Sequence, residues 1–244
     1  MNKFIFLIKG ELLRLKKYNV ITVNVVVTLM WFLLLFFIED HGLLNQLLPM
    51  ILMFDVTMMS ALYVGASLFF EKSEQTNVTL LVTPLSHHAH VLSKAIVNTI
   101  HMVLSSVVLA LIFYFVRGVE INFVYLVVTL FVASFVHSLI GFIFSYLSKD
   151  FTSMLMLVMA YSLLFMVPTV IREFNIFFTG DVFTYLLLLS PSQASINLLA
   201  LSIGGELELQ SLLSLLSLLV IGLLIYTLIV VPKYKTNTVR QSGV

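Results

Sequence analysis

The sequence predicts an all-α membrane protein: six transmembrane helices preceded by an N-terminal interfacial helix, with a short amphipathic helix after the second span and a half-buried outer helical hairpin. Apolar residues make up 60% of the 244 residues and charged residues only 10%, with a mean hydropathy of +1.09. A soluble domain is much more polar than this. Apolar stretches of about 20 residues, enough to cross a hydrocarbon core roughly 30 Å thick, recur along the chain. The fold is therefore expected to be one transmembrane domain over residues 1–244.

The first 18 residues predict a helix that lies in the membrane interface. Their basic residues follow the apolar stretch, whereas a signal peptide has them before it. On a helix, Phe4, Ile8 and Leu12 share one face, while Arg14 and Lys17 lie on the other side. The alternative is a solvated basic tail that only anchors the topology.

Six apolar stretches follow this helix and are interpreted as spans. The segment 172–211 between the last two contains a further apolar run, Phe183 to Ser202, which Ser190 and Pro191 interrupt. We expect two short helices there that dip into the outer face without crossing. The predicted spans are residues 20–38, 47–70, 91–116, 123–147, 151–171 and 212–231.

The distribution of basic residues supports an even number of spans, because short loops rich in Lys and Arg stay in the cytoplasm. With the N-terminus inside, eleven of the thirteen basic residues lie inside, and only Arg117 and Arg172 lie outside. A seventh crossing by Phe183 to Ser202 would move the basic C-terminus outside. Both termini are therefore expected in the cytoplasm. The inside residues are Lys3, Lys9, Arg14, Lys16, Lys17, Lys72, Lys94, Lys149, Lys233, Lys235 and Arg240.

The polar insert between the second and third spans, residues 71–90, contains an apolar run that a simple connecting loop would not need. Glu71 and Glu74 end the preceding helix, Thr76 and Asn77 can cap a new short helix, and Pro84 closes it. We expect this amphipathic helix to lie at the membrane surface, where a partner can bind it.

The insert resembles the first cytoplasmic loop of permeases of the type 2 ABC exporter class. The pattern is E-x-x-E-x-T-x-x-x-L-L-V-T-P-L-S with a Lys at the start of the next span, although the usual Gly before the Thr-Leu pair is absent. The six spans, the interfacial helix and the outer hairpin also agree with that class. The matching residues are Glu71, Glu74, Thr79, Leu80, Thr83 to Ser86, and Lys94.

This resemblance implies a permease driven by a separate subunit. The chain has no G-x-x-x-x-G-K-[ST] phosphate loop, so it would hold no cofactor, and ATP would be bound by a partner ABC ATPase. A second permease, identical or related, would complete the complex in a bacterial plasma membrane. Lys149 and Asp150 would form a smaller second contact with the ATPase. The main coupling helix would use Glu71, Glu74, Thr79, Leu80, Leu81, Pro84 and Leu85.

The cargo that the resemblance implies is hydrophobic or amphipathic: a peptide, a drug or a lipid. Short six-span members of the class resemble exporters of phenol-soluble modulins or lantibiotics, and this chain has no large extramembrane domain. Its many Phe and Met side chains could line a path, or could simply face lipid.

Three ionisable residues within the spans could line a substrate path. Asp55 would be costly to bury at mid-bilayer, so it is expected to face the bundle interior, either in a path or in a structural role. His101 and His137 could act in a proton relay, but hydrogen bonding to a neighbouring helix is the more common role of such residues. His87, His88 and His90 could together bind a metal ion, but the preferred interpretation is that they lie in a solvated loop and bind none.

Other functional classes have less support. An ion-coupled secondary transporter would need convergent intramembrane ligands or repeats. An enzyme would need a catalytic motif such as H-E-x-x-H or G-x-S-x-G, which is absent. A membrane immunity or structural protein remains an alternative. The net charge of +1 gives no reason to expect a nucleic-acid partner, and the absence of Cys excludes disulfides and thiolate metal sites.

Overall fold

The computed structural model of the chain describes residues 3–74, 86–177, 180–234 and 236, which form helices and turns with no strand among them. The predicted all-α fold class is therefore confirmed for that part of the chain. The predicted coupling helix lies outside the described residues. The helices are α1 (Lys3–Lys17), α2 (Val20–Phe36), α3 (His41–Ser73), α4 (His87–Arg117), α5 (Phe123–Leu147), α6 (Phe151–Glu173), α7 (Asp181–Leu187), α8 (Pro191–Ser202) and α9 (Leu209–Tyr234).

Five of the described helices are long and apolar enough to cross a membrane: α3, α4, α5, α6 and α9. The first predicted span corresponds to α2, which has 17 residues and at 1.5 Å per residue is about 26 Å long. It follows α1 after a bend of 63°, and the bent pair would make a sixth span if counted together. The structure thus supports five to six spans.

The long helices contain local π-helical turns. These lie at Asp55–Met59 in α3, Ser162–Met166 in α6 and Ile225–Val230 in α9. A π turn widens the helix locally, shifts the faces on either side of it, and often occurs at functional positions in helices. The turn in α3 includes Asp55, the one carboxylate within the apolar part of the predicted spans.

The histidine-rich end of the insert is helical, which corrects the predicted solvated loop. Ser86 caps α4 by accepting a hydrogen bond from the backbone N–H of Ala89 at 3.2 Å. His87, His88 and His90 consequently lie in the first turn of α4. Sequence hydropathy marks where the apolar run starts but not where the helix starts, and here the cap places the helix start before the predicted span at residue 91.

Helices α3 and α5 form the centre of the bundle. In each, 67% of the most apolar window is buried, compared with 28% in α6 and 22% in α9. Their backbones touch at Gly141 of α5, where an added Cβ would lie 2.4 Å from the carbonyl oxygen of Ala61. Such small-residue contacts drive helix association in membranes.

The interrupted segment before α9 forms the two short helices α7 and α8. Ser190 caps α8, since its hydroxyl accepts from the backbone N–H of Gln193 at 3.4 Å. Most of α8 is buried against α3, α5 and α9. At its other end, the backbone N–H of Asn122 donates to the carbonyl of Ser202 at 2.8 Å. The position of these helices in the outer leaflet stays a prediction.

One end of the bundle, here called the α1 end, gathers α1, the end of α3, the start of α4, the α5–α6 turn and the end of α9. The ring of Phe151 lies 5.7 Å from that of Phe69, and His90 stacks on Tyr234 with ring centroids 6.3 Å apart. Because α1 and the C-terminal end of α9 share this end, the arrangement agrees with an even number of crossings.

Replacing Gly141 by Ala should destabilise the bundle. The added methyl group would meet backbone atoms of Ala61, which cannot move aside as a side chain can, and overpacking of this kind costs about 1–3 kcal/mol. The midpoint of thermal unfolding in detergent should fall. Gly10→Ala is the matched control, because nothing lies within 4 Å of its added Cβ. Equal midpoints for both variants would contradict the close contact.

Candidate coupling site

A buried ion-pair network lies at the α1 end. Lys94 of α4 donates to Glu11 of α1 at 2.7 Å and is paired with Glu71 at the end of α3. Arg14 of α1 is paired with Glu11 and lies 3.5 Å from Glu71. Ser67 adds a hydroxyl that accepts from Lys94 at 3.5 Å. Two cations and two anions thus balance, and they join three helices.

The burial of this network makes its completeness important. Glu71 is 0% exposed, and Glu11 and Lys94 are each 5% exposed. Buried charges are costly to remove from water, and the attraction between partners offsets that cost only when each charge is paired. The four residues therefore hold one another in place, so the helices that carry them are expected to move together.

The local sequence explains how these side chains meet. Glu11 is the one acidic residue of α1, and Arg14 follows it by three positions, so both lie on one helix face. Glu71 lies in the last turn of α3, and Lys94 in the second turn of α4. Helices α3 and α4 flank residues 75–85, so the network lies at the base of the insert.

A second, exposed set of contacts extends the network along α1. Lys17 pairs with Glu74 at 2.6 Å, and the hydroxyl of Tyr18 donates to the same carboxylate at 3.2 Å. The hydrogen bond from Lys17, supported by that from Tyr18, lowers the pKa of Glu74. The rings of Tyr18 and Phe70 lie 5.1 Å apart. The end of α3 is therefore joined to α1 and to the residue after it by both buried and exposed contacts.

The turn between α5 and α6 is closed by reciprocal hydrogen bonds and lies beside the end of α3. Asp150 accepts from the backbone N–H of Ser153 at 2.7 Å, and Ser153 accepts in return from the N–H groups of Asp150 and Lys149, both at 3.1 Å. These bonds to Ser153 lower the pKa of Asp150. Phe151 packs against Phe70, with ring centroids 6.0 Å apart.

The structure thus brings together part of the predicted coupling set. Glu71 and Glu74 lie at the end of α3, and the Lys149–Asp150 turn is next to that end. The five other predicted contacts lie outside the described residues: Thr79, Leu80, Leu81, Pro84 and Leu85.

The three histidines at the start of α4 contact aromatic side chains of α9. His88 Nδ1 is hydrogen-bonded to the hydroxyl of Tyr226 at 2.8 Å, and the ring of His87 lies 6.0 Å from that of Tyr234. Over the described ranges, no group of three or more His, Cys, Asp or Glu could hold a metal ion. The cluster joins α4 to α9.

The three candidate path residues lie against different neighbours. Asp55 is buried and accepts from Ser106 at 3.2 Å. His101 Nε2 accepts from the amide of Asn24 at 3.0 Å. Both contacts join a span to a neighbouring helix.

His137, the third candidate, is completely buried between α5 and α6. Its Nδ1 donates to the carbonyl of Ala133 at 2.8 Å, so its Nε2 accepts from the hydroxyl of Tyr161 at 2.9 Å. The bond to Tyr161 joins α5 to α6, whereas the bond to Ala133 stays within α5. Of the three candidates, His101 lines an open groove of about 290 Å³ between α2 and α4.

Sequence reasoning missed Glu11 and Arg14 as members of the site. A signal was present, since Glu11 is the single carboxylate in a basic amphipathic helix. Its partner Lys94 lies 83 positions away along the chain, and hydropathy alone does not relate the two residues.

Comparison with known protein families decides the class. The model of the ABC-2 type transporter family matches residues 2–199. The chain belongs to the ABC-2 type transporter family. A search of curated proteins gives no match. Membership makes the chain a multi-pass membrane permease of an ABC transporter, distinct from the ATPase component, and implies an ATPase partner.

Replacing Lys94 by Met should strongly destabilise this permease. The change leaves Glu11 and Glu71 buried with Arg14 as their remaining partner in the network, and breaking a buried pair costs about 3–5 kcal/mol. The measurement is the free energy of unfolding in mixed micelles. The control Lys9→Met removes an exposed charge from α1 and should change it by less than about 0.5 kcal/mol.

A double variant distinguishes the network from a simple loss of packing. Lys94→Met with Glu71→Met removes one charge of each sign and leaves the Glu11–Arg14 pair intact. The double variant should have a higher free energy of unfolding than Lys94→Met alone, because replacing a buried pair by apolar groups is often nearly neutral. Strictly additive losses would contradict the network.

The Lys17–Glu74 contact should depend on pH. The folded-state pKa of Glu74 lies below its unfolded value, so its stabilising contribution is present above that unfolded value and is lost as the pH falls through the folded pKa. The difference in thermal midpoint between wild type and Glu74→Gln should therefore be present at neutral pH, begin to shrink as the pH falls below the ordinary Glu pKa of about 4.3, and disappear only below the folded pKa of Glu74. A difference that stays constant with pH would exclude the charged contact.

Proposed function

We propose that this chain is the permease of an ATP-driven exporter of amphipathic substrates, peptides above all, in a bacterial plasma membrane. Two permeases form the path, both termini face the cytoplasm, and a separate ATPase drives the complex through residues 71–90. The observation that carries the proposal is the buried ion-pair network, because it joins α1 to both helices that flank the insert.

The network gives a physical route for the coupling. A partner that pulls on residues 75–85 acts on the ends of α3 and α4, and the buried pairs pass that force to α1 because separating them would strand buried charges. A partner shifts a conformational equilibrium only through contacts that differ between the two states. The insert and the Lys149–Asp150 turn are where we expect such contacts.

The exposed apolar faces suit a second permease and an amphipathic cargo. Met156, Met159, Leu163 and Leu164 of α6 are each at least 60% exposed in the single chain. These side chains must be covered by lipid, by a second permease or by cargo. An interface between two such bundles would offer an amphipathic peptide an apolar surface.

The geometry gives less support to an ion-coupled secondary transporter. Asp55, His101 and His137 are bonded to three different neighbouring helices and do not form one ligand set. A coupling-ion site requires convergent ligands near the bilayer midplane.

The proposal is tested by purifying the tagged full-length permease gently from its native cells. An ABC ATPase should remain bound, and inside-out vesicles containing the complex should take up a fluorescent amphipathic peptide when ATP is added. Uptake that ceases when a protonophore is added, with ATP still present, would favour the secondary transporter. Bound ATPase without peptide uptake would overturn the proposed cargo alone.

Variants in the insert should separate ATP hydrolysis from uptake. Leu81→Asp or Pro84→Asp should reduce peptide uptake by about tenfold or more while ATP hydrolysis and membrane insertion persist, since a loss of about 1.4 kcal/mol of coupling is a tenfold effect. Leu207→Asp, an exposed leucine at the opposite end of the bundle, is the control. Normal uptake by both Leu81→Asp and Pro84→Asp would exclude the insert as the coupling element.

A further inference from the structure

The end of the bundle opposite the α1 end contains a polar cavity that the proposed coupling does not use. Its volume is about 290 Å³, and side chains from α6, α7, α8 and α9 line it. The cavity is open on one side and large enough for several water molecules or a small polar group. The lining residues are Arg172, Glu173, Asn175, Thr184, Asn197 and Gln210.

The cavity presents a cation that its surroundings do not satisfy. Arg172 donates through Nη2 to the hydroxyl of Thr184 at 3.2 Å, but its Nη1 is buried with no hydrogen-bond partner among the described residues. A buried guanidinium nitrogen without an acceptor is costly. An anionic group with two oxygens would satisfy it, because guanidinium binds phosphate and carboxylate in a forked geometry.

Glu173 supplies a carboxylate to the same cavity, and hydrogen bonds hold it in place. Gln193, which is completely buried, donates to Glu173 Oε1 at 3.0 Å and to Asn197 Oδ1 at 2.9 Å. Gln46 donates to the backbone carbonyl of Glu173 at 2.9 Å. Although adjacent in sequence, Arg172 and Glu173 form no ion pair with each other in the described residues. Two opposite charges therefore line one cavity separately.

The surrounding charges favour a zwitterion over a simple anion. A second cavity of about 200 Å³ shares Asn197 and Gln210 with the first and is lined by Glu206 and Glu208. Carboxylates therefore outnumber the single guanidinium around this region. A ligand that carries only negative charge would be repelled by them, whereas one with an ammonium group would be attracted.

The position of α7 indicates that such a ligand reaches the cavity from lipid. Val182, Phe183 and Leu186 of this short helix are between 45% and 69% exposed, while Thr184 is bonded to Arg172. An exposed apolar face next to a polar cavity is typical of a helix lying at headgroup depth. Basic pockets between transmembrane helices bind lipid headgroups on the cytoplasmic side of membranes, and the guanidinium of Arg172 offers the same chemistry at the opposite end.

We propose that this cavity binds the zwitterionic phosphate–ammonium headgroup of a membrane lipid, with the phosphate on Arg172 and the ammonium on Glu173. Because the site needs neither ATP nor cargo, it goes beyond the proposed export function. Its test can fail or succeed independently of that function.

The experiment is lipid binding to the full-length protein in detergent, measured by native mass spectrometry. Phosphatidylethanolamine should bind at least about tenfold more tightly than phosphatidylglycerol with the same acyl chains, as expected for one charge-assisted contact. Arg172→Gln should weaken phosphatidylethanolamine binding about tenfold, and Arg172→Lys should restore part of it. Glu173→Gln should make the two lipids bind equally.

Control variants and ligands distinguish lipid binding at this cavity from a general charge effect, a loss of fold and binding of a free headgroup. Glu120→Gln removes an exposed carboxylate at the same end and should bind lipid as the wild type does. Thermal midpoints identify any variant that has lost its fold, and Arg172→Lys keeps the test valid if Arg172→Gln does not fold. Equal binding of the two lipids by wild type, or unchanged binding by Arg172→Gln, would overturn the proposal. Equally tight binding of free O-phosphoethanolamine would overturn its assignment to a lipid.

Discussion

The structure depends most on the requirement that buried charges at the α1 end remain paired. Lys94 and Arg14 balance Glu11 and Glu71 in a region where water has little access. None of the three helices involved can shift alone without leaving a charge uncompensated. The ends of α3 and α4 beside the insert are therefore firmly connected to α1, which a transmitted force requires.

Deeper in the bundle, cohesion has a different physical origin. Helices α3 and α5 approach until their backbones touch at Gly141, and hydrogen bonds such as those between His137 and Tyr161 and between Ser106 and Asp55 join neighbouring helices. Each such bond contributes little on its own, on the order of 1 kcal/mol in a membrane. Close backbone packing and many weak hydrogen bonds therefore stabilise the interior, whereas a few buried ion pairs stabilise the α1 end.

Hydropathy was enough to predict most of the fold, because the length of an apolar run reflects the thickness of the bilayer. Hydropathy could not place the helix ends, because polar caps determine them. Asp40 starts α3 well before its apolar run by accepting from the backbone N–H of Gly42. Ser86 likewise starts α4 by accepting from the backbone N–H of Ala89. For this reason hydropathy alone predicts a loop where His87, His88 and His90 are helical.

The site was predicted only in part. Glu71 and Glu74 could be identified because the family's loop pattern is local in sequence. Glu11 could not, because its importance arises from contacts with Lys94 across the packed helices, and the order of residues along the chain does not encode that meeting directly.

The contact at Gly141 also determines how α3 can tilt. Backbone contact with Ala61 makes that point a natural fulcrum, and α3 extends from it by about 18 Å to Ser73 and by about 30 Å to His41 at 1.5 Å per residue. If α3 pivots there as a rigid rod, its His41 end moves in the opposite direction to its Ser73 end, and about 1.7 times as far. An ångström-scale displacement of α3 at the α1 end would thus be enlarged at the opposite end of the bundle.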